Sequence, residues 1–335
     1  MTKVKEILYI QTAMIAVAFW GLTRSTQYTA ESIQKHVFGH LPPHKVFVHT
    51  FESDREYHNT RANEHAGIVK ADFSALHPYL VHVDNLDDVK AKIDFAAYRT
   101  HPDPWGTGYE TVNHFVLAMY SKMRVTEMIQ KSGLAISFVL FVRPDVRYLA
   151  DVTPLLALVR ANTWVVPSFH VYNGFNDRFC IATKENYLVY GNVLPRLLAY
   201  SKKKPLHSET FYADLARAAG VRVVFAPASF VFQRVRMNGE TDVRDVSLFK
   251  EAVHHVPRHA ADSDHVKLHD GVFRNFLVLE PFSTGRAGDR VSFVRKPASV
   301  VRRNVGRVDV PTLLLYGVVV VPRVHRNALA RIGLG

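Results

Sequence analysis

The chain has 335 residues, 48% hydrophobic and 21% charged, so it can bury a full core, and these values exclude a disordered chain. Its single cysteine, Cys180, excludes an internal disulfide framework and a structural zinc site built from cysteines, which fits a reducing compartment. The formal net charge is +12, and residues 285–335 carry +8 of it, with nine Arg and one Lys against two Asp. Such a basic tail can touch phosphate groups, anionic lipid or an acidic partner, although a solvated basic face is the commoner outcome.

The first element in the chain is a mostly apolar segment, residues 7–22. Gln11 and Thr12 interrupt it, it is shorter than the roughly 20 residues of a membrane helix, and no small-residue cleavage site follows. We therefore predict a buried strand here, and neither a signal peptide nor a transmembrane helix. Residues 313–321 are also too short to span a bilayer, and their run of valines predicts a strand.

Apolar runs alternate with amphipathic segments through most of the chain, which predicts an α/β fold with a mainly parallel sheet flanked by helices. The predicted strands are residues 13–19, 46–49, 79–83, 137–142, 163–166 and 221–225. The predicted helices are residues 29–37, 114–131 and 208–219. The alternation fades after about residue 246, so we expect a first domain over residues 1–250 and a basic C-terminal region over residues 251–335.

The strand predicted at 137–142 ends abruptly in Arg143, Pro144 and Asp145. Open α/β sheets bind ligands beyond the carboxyl ends of their strands, so Asp145 could hold a metal or a sugar there. A turn in which the aspartate only caps the backbone is an equally good interpretation.

Other polar groups follow strands in the same way. Gly21 and Arg24 form a turn that suits a nucleotide phosphate, although an ordinary strand-to-helix turn is favoured and the spacing matches no dinucleotide or ATPase motif. Asp84 could bind a base or ribose, but a simple turn is again favoured. The loop at 170–178 could line a sugar site or be a turn held by its own Asn and Asp side chains, and Glu209 could face a ligand or cap a helix.

Six segments in order, residues 21–25, 46–50, 143–146, 173–179, 207–209 and 234–239, together resemble a family of glycosyltransferases found in large DNA viruses and in bacteria that build surface polysaccharide. The resemblance covers roughly residues 7–240. It implies a GT-A-like, Rossmann-type nucleotide-sugar fold with a basic C-terminal extension. It also implies transfer of a sugar from a nucleoside-diphosphate donor to a hydroxyl of a glycan or glycoprotein acceptor, inverting and with a carboxylate base.

The resemblance further implies roles for individual residues. Glu209 stands at the position of the catalytic base, with Asp177 as its competitor, and Asp145 stands where the family binds Mn²⁺ or Mg²⁺. Arg143 replaces the first acid of that metal motif, which weakens the metal site. The implied nucleotide-contacting residues are Gly21, Thr23, Arg24, Asp84 and Arg143. The implied sugar or acceptor residues are His170, Asn173, Asn176, Arg178 and His207.

Two other interpretations stay open. The first is a basic protein that uses the tail from Gly285 onward to bind nucleic acid or an anionic membrane surface, and the second is a catalytically inactive structural protein of the same fold. For the enzyme, we expect a cytoplasmic location, in the host cytoplasm if the protein is viral, with the tail able to touch a membrane. Nucleic acid is not expected as its partner.

Overall fold

A computed structural model of the chain describes residues 14–62 and 64–241, together with four strands of the C-terminal part. The chain divides into two units, residues 1–257 and 258–335. The boundary predicted at residue 250 lies outside the described residues. In the second unit the four strands form an antiparallel sheet with the order Val301–Asn304, Val291–Arg295, Phe276–Pro281 and Val319–Pro322.

The first unit contains eleven described strands. In chain order they are β1 (Met14–Trp20), β2 (His44–Glu52), β3 (Glu56–Asn59), β4 (Glu64–Ile68), β5 (Leu80–Asn85), β6 (Ile136–Val142), β7 (Val146–Tyr148), β8 (Thr163–Val166), β9 (Phe179–Thr183), β10 (Arg222–Phe225) and β11 (Phe232–Arg234). Seven of them form the central sheet, in the order β10-β8-β9-β6-β1-β2-β5. Its neighbours pair in parallel except at β9, which runs antiparallel to both β6 and β8.

Six α-helices accompany the sheet in the described part of the first unit. They are α1 (Thr26–Ile33), α2 (Leu86–Lys92), α3 (Glu110–Lys131), α4 (Tyr187–Gly191), α5 (Leu194–Ser201) and α6 (Ser208–Ala218). The longest, α3, packs on β1 and β2. The mainly parallel sheet flanked by helices that the sequence predicted is confirmed. Within the described residues, no helix is both long enough and apolar enough to cross a bilayer.

The inner strands are apolar along their whole length because the sheet is covered on both faces. Every side chain from Ile15 to Trp20 in β1 is fully buried, and so is every one from Val139 to Val142 in β6. A parallel strand that is covered on both faces is apolar at every position, whereas a strand with one exposed face alternates between apolar and polar residues. This requirement explains why simple apolar runs located these strands in the sequence.

All six predicted strands of the central sheet are present, with ends displaced by a few residues. The first is Met14–Trp20, and residues 7–13 of the apolar N-terminal segment lie outside the described residues. Of the run at 313–321, residues 313–318 also lie outside them, and a strand covers Val319–Pro322. The predicted helix at 29–37 is α1, which begins at Thr26 and continues as a π-helical turn, Gln34–Phe38.

The seventh strand of the sheet, β9, was not predicted. Its five residues, Phe179 to Thr183, are all buried and directly follow the polar loop at 170–178. The sequence prediction places the loop at 170–178 and includes Phe179 only as the end of the segment 173–179. The apolar run Phe179 to Ala182 was nonetheless a usable signal for a short buried strand.

Lysine 122 lies inside the core of the first unit. It is fully buried on α3, with its Nζ 4.1 Å from the ring centroid of Trp20 and 4.4 Å from those of Tyr190 and Tyr212. The ammonium donates to the hydroxyl of Tyr212 at 2.8 Å and to the backbone carbonyl of Asp177 at 3.3 Å. Burial lowers the pKa of Lys122 to about 7, because the charged form loses its hydration.

We expect Lys122 to make stability depend on pH. Above pH 7 the folded chain releases the Lys122 proton, while the unfolded chain, with an ordinary lysine pKa of 10.5, keeps it. The unfolded state then binds more protons, so the free energy of unfolding rises with pH from about 7 to about 10.5. Urea unfolding at several pH values across this window should show a smaller rise in Lys122→Met than in the wild type. Equal slopes in the two proteins would contradict this assignment.

Candidate active site

A large cleft opens where β1, β2 and β6 end, as expected for an open parallel sheet. Its volume is about 540 Å³, which is enough for a nucleotide or a sugar nucleotide. Positive side chains outnumber acidic ones along its wall by eight to four. The positive residues are Arg24, Arg55, Arg61, Lys90, Arg143, Arg178, Arg234 and Arg236. The acidic residues are Glu56, Asp87, Asp177 and Glu209.

Three of the arginines that line the cleft are held by the carboxylate of Asp145. Arg143 donates to it through two nitrogens, with Nε to Oδ1 and Nη2 to Oδ2 both at 2.7 Å. Arg234 Nε donates to Oδ2 at 3.2 Å, and Arg24 Nη2 lies 3.7 Å from the same oxygen. Burial alone raises the pKa of Asp145, but the charges of Arg143, Arg234 and Arg24 outweigh burial and hold this pKa well below its usual range. Asp145 is therefore an anion whose task is to hold three guanidinium groups.

This environment does not fit the Mn²⁺ or Mg²⁺ role that the resemblance implied for Asp145. Both carboxylate oxygens accept from guanidinium nitrogens, and the side chain is completely buried. A divalent cation requires several free oxygen ligands, and here it would have to displace cations that are already bound. The local reason is Arg143, which stands two residues before Asp145 and folds back onto it.

Two of the carboxylates that line the cleft are Asp177 and Glu209. Glu209 lies in the first turn of α6, where Ser208 Oγ donates to its Oε2 at 2.7 Å and His207 Nδ1 lies 3.5 Å away. Burial raises the pKa of Glu209 to about 7, and the negative charge of Asp177 contributes in the same direction. A carboxylate with this pKa can exchange a proton near neutral pH.

The antiparallel direction of β9 is the reason that Asp177 reaches the cleft. The amino end of β9 pairs with the carboxyl end of β6, where Phe179 is opposite Val142. Asp177 and Arg178, just before β9, therefore lie at the same edge of the sheet as Arg143. Lys122 Nζ and Tyr190 Oη also donate to the backbone carbonyl of Asp177, both at 3.3 Å.

The loop before Asp177 has a strained backbone and packs directly on α6. His170, Tyr172 and Asn173 all have positive φ, at 50°, 39° and 65°, which is unfavourable for residues with a Cβ and is often seen at functional sites. Gly174 lies against the backbone of Glu209, and Phe175 N donates to the Glu209 carbonyl at 3.1 Å. This close approach brings the two carboxylate-bearing segments together.

Seven of the thirteen sequence-predicted site residues line the cleft. They are Gly21, Arg24, Arg143, Asp177, Arg178, His207 and Glu209. Gly21 follows β1 with a φ of 94°, a conformation that favours glycine, and its N–H donates to Ser121 Oγ at 2.8 Å. His207 precedes α6 and stacks on Trp105, with ring centroids 5.8 Å apart.

The other six predicted residues do not line this cleft, for identifiable reasons. Asp145 is covered by the guanidinium groups, and Thr23 is buried, with its hydroxyl accepting from the Asp72 N–H at 3.1 Å. Asn176 is buried and serves its own loop, since it donates to the Phe169 carbonyl and accepts from the Arg178 N–H. His170 is buried beside Arg178, and Asn173 is exposed outside the cleft. The sixth is Asp84.

Asp84 is the penultimate residue of β5, and its carboxylate contacts neighbouring side chains. Its Oδ2 lies 3.0 Å from His49 Nε2 and accepts from Tyr120 Oη at 2.9 Å, while its Oδ1 lies 3.0 Å from His82 Nε2. Burial alone raises the pKa of Asp84, but these hydrogen bonds lower it to about 2. The resemblance implied a contact of Asp84 with a base or ribose. In the structure both oxygens of Asp84 instead contact the side chains of neighbouring residues.

In the described part of the chain, His49, His82 and Asp84 are the one group of three side chains whose donor atoms lie close enough to hold a metal ion, all within 4.8 Å of one another. Burial lowers the pKa of His49 to about 4, so its imidazole is neutral and able to ligate. However, the guanidinium of Arg124 lies 3.0 Å from His82 Nε2 and 3.5 Å from Asp84 Oδ2. A cation is already present at this group, which does not line the cleft.

Sequence reasoning missed the arginines at 234 and 236 as individual site residues. Arg234 ends β11 and Arg236 follows two positions later, and both line the cleft. Residues two apart in an extended segment point to the same face, so the pattern Arg234-Val235-Arg236 was a readable signal of a cationic wall.

No protein family profile and no curated protein matches this sequence. Similar solved structures include mouse xyloside xylosyltransferase 1 in its apo form, with 8% identity, 65% of this chain and 85% of that chain covered, and a TM-score of 0.36. A glycosyltransferase involved in glycosylation of the major capsid of PBCV-1 has 8% identity, 72% and 98% coverage and a TM-score of 0.34. The glycosyltransferase GlyE of Streptococcus pneumoniae TIGR4 has 10% identity, 64% and 45% coverage and a TM-score of 0.33. These values are too low to transfer a donor, an acceptor or a residue role.

Gly174→Ala should disable the cleft while leaving the core intact. The added Cβ would overlap the backbone carbonyl of Glu209, so the loop and the start of α6 must move apart. We expect faster amide hydrogen exchange in the loop at 170–178 and in the first turn of α6, with far-UV circular dichroism unchanged. Gly67→Ala is the control, because a Cβ there meets nothing within 4 Å. Equal exchange in the two variants would contradict the proposed packing role.

Proposed function

We propose that this chain is a glycosyltransferase that moves a sugar from a nucleoside-diphosphate donor to a hydroxyl of a glycan or glycoprotein acceptor. The observation that carries the proposal is the composition of the cleft. The guanidinium groups that line the cleft suit the donor diphosphate, and two carboxylates that line it suit the activation of a hydroxyl. Inverting sugar transfer from a diphosphate uses both groups at one site.

The cleft also offers a place for the nucleoside. Leu22, Phe51 and Leu86 line it and form an apolar surface for a planar base, while Ser53 and Asp87 supply polar atoms nearby. The hydroxyl of Ser53 donates to Asp87 Oδ2 at 3.2 Å. A mostly apolar wall with a few polar groups is the usual composition of a site that orients a small ligand.

The proposed reaction uses these parts in the following way. The bond between the anomeric carbon and the diphosphate oxygen breaks, and its electron pair leaves on the diphosphate. The acceptor oxygen forms the new bond to the anomeric carbon from the opposite face, and its proton passes to a carboxylate. We assign this base to Glu209, because its raised pKa makes it a stronger base than an ordinary carboxylate. The negative charge of Asp177 helps to raise this pKa.

The +8 charge of residues 285–335 supports an accessory role, in which the tail brings the enzyme to an anionic membrane surface that carries its acceptor. This part of the proposal rests on composition. Nucleic acid is not part of the proposed function.

Glu209→Gln should reduce transfer by about 100-fold or more, the usual contribution of a positioned base, and Asp177→Asn should reduce it less. The assay is release of nucleoside diphosphate from UDP-glucose, UDP-galactose, UDP-N-acetylglucosamine and GDP-mannose. Glu185→Gln is the matched control, since this carboxylate is exposed beyond β9. Full activity in both cleft variants would refute the assignment of the base.

The pH dependence gives a second test of the same pair. The base must be ionised, so wild-type turnover should rise with pH and level off above about 7, the pKa of Glu209. Asp177→Asn removes the negative charge that helps to raise this pKa. The acidic limb of the profile should therefore move to lower pH in Asp177→Asn, and an unmoved limb would show that Asp177 does not act on the base.

A further inference from the structure

We propose that an arginine cluster on the cleft wall binds the donor diphosphate in place of a divalent cation, so that donor binding and transfer proceed without a metal. This inference rests on the proposed function and identifies the chemistry of its donor site. The arginine cluster consists of Arg24, Arg143, Arg234 and Arg236. All four residues line the cleft, and all four are held by buried carboxylates.

Two carboxylates hold the cluster in place. Asp145 holds Arg143, Arg234 and Arg24, as described above. Glu64 is the second, with Arg24 Nη1 at 3.3 Å, Arg236 Nη1 at 3.8 Å and the Met237 N–H donating at 2.9 Å. Arg24 lies between the two carboxylates and connects them, and its guanidinium also lies over the ring of Tyr57, 4.6 Å from the centroid. The cluster is thus a continuous network and not a set of separate surface arginines.

The orientation of Arg143 is fixed before any ligand enters. Its Nε and Nη2 are both held by Asp145, and its guanidinium lies over Trp20, 4.9 Å from the ring centroid. Trp20 in turn is packed against the Lys122 ammonium at 4.1 Å. A positive group held in this way needs no reorganisation when charge develops on a leaving group, which is the condition for electrostatic stabilisation of a transition state.

The charge of the cluster matches that of the ligand. Four guanidinium groups and two carboxylates give a net charge of +2. A donor diphosphate carries about two negative charges at neutral pH, and the released nucleoside diphosphate gains about one more as its terminal phosphate ionises. The cluster therefore neutralises the bound donor and attracts the leaving group more strongly than the donor.

The same charge disfavours a divalent cation. A metal ion placed among these residues would add two positive charges to a net +2, and the oxygens of Asp145 are already occupied by guanidinium nitrogens. The other candidate set of metal ligands in the described residues, His49, His82 and Asp84, does not line the cleft. The arginines therefore take the place that a metal would need beside the diphosphate.

The direct test is calorimetric binding of UDP and GDP to the full chain, once with EDTA and once with Mn²⁺ or Mg²⁺. We expect an affinity in EDTA within about twofold of that with metal, and a steep weakening with added salt. Arg143→Gln should weaken binding about tenfold or more in EDTA, as for loss of a charged hydrogen bond. Arg196→Gln removes one exposed positive charge on α5 and should bind as the wild type does.

Arg143→Gln removes one of the three positive charges that compensate the buried carboxylate of Asp145. A second variant that keeps these charges is therefore needed to separate weaker binding from misfolding. Arg236→Gln leaves the contacts of Asp145 in place and removes one arginine that pairs with Glu64. It should fold, as judged by far-UV circular dichroism, and it should bind UDP or GDP more weakly in EDTA. Equal binding by the wild type and these variants would overturn the proposal.

The outcomes separate this inference from the proposed function. Binding and transfer that vanish in EDTA and return with Mn²⁺ or Mg²⁺ would overturn the metal-free site and leave the glycosyltransferase standing. Absence of binding and of turnover with every nucleotide and sugar nucleotide, with or without metal, would overturn both.

Discussion

The cleft depends on the carboxylate of Asp145, where guanidinium groups from three separate segments meet. Arg24 follows β1, Arg143 follows β6 and Arg234 ends β11, and these segments are far apart in the sequence. Loss of one partner from a buried charge network costs about 3–5 kcal/mol, so each segment is held in register by the charge of the others. The positive wall is consequently part of the fold and is present before any ligand binds.

The carboxylates of Asp177 and Glu209 reach the cleft for a different reason, because packing and strand direction place them. The antiparallel strand β9 returns the chain to the carboxyl ends of the parallel strands, and Gly174 allows the preceding loop to touch α6. Lys122 loses its hydration on burial and donates a hydrogen bond to the backbone carbonyl of Asp177. A buried lysine with a lowered pKa and a loop with positive φ are both costly, and both lie next to the carboxylates assigned to chemistry.

Asp145 and Glu209 show how one fold produces two kinds of carboxylate. Both are buried, and burial raises the pKa of each. The guanidinium groups around Asp145 reverse this effect, whereas Asp177 beside Glu209 reinforces it. One carboxylate is therefore a permanent anion that orients cations, and the other can accept a proton near neutral pH, which is the division of roles that an acid–base site needs.

The sequence by itself determined the α/β class and the six parallel strands, because strands covered on both faces must be apolar throughout. It also placed Gly21, Arg24 and Arg143 near one another, since the carboxyl ends of parallel strands share an edge, whereas Glu209 came to the site only through the resemblance. Only the tertiary structure decided that Asp145 faces guanidinium groups, that Asp84 pairs with His49 and that β9 runs antiparallel. The physical reason is distance along the chain. Arg234 and Asp145 are 89 residues apart, so no local sequence pattern indicates that their side chains form an ion pair.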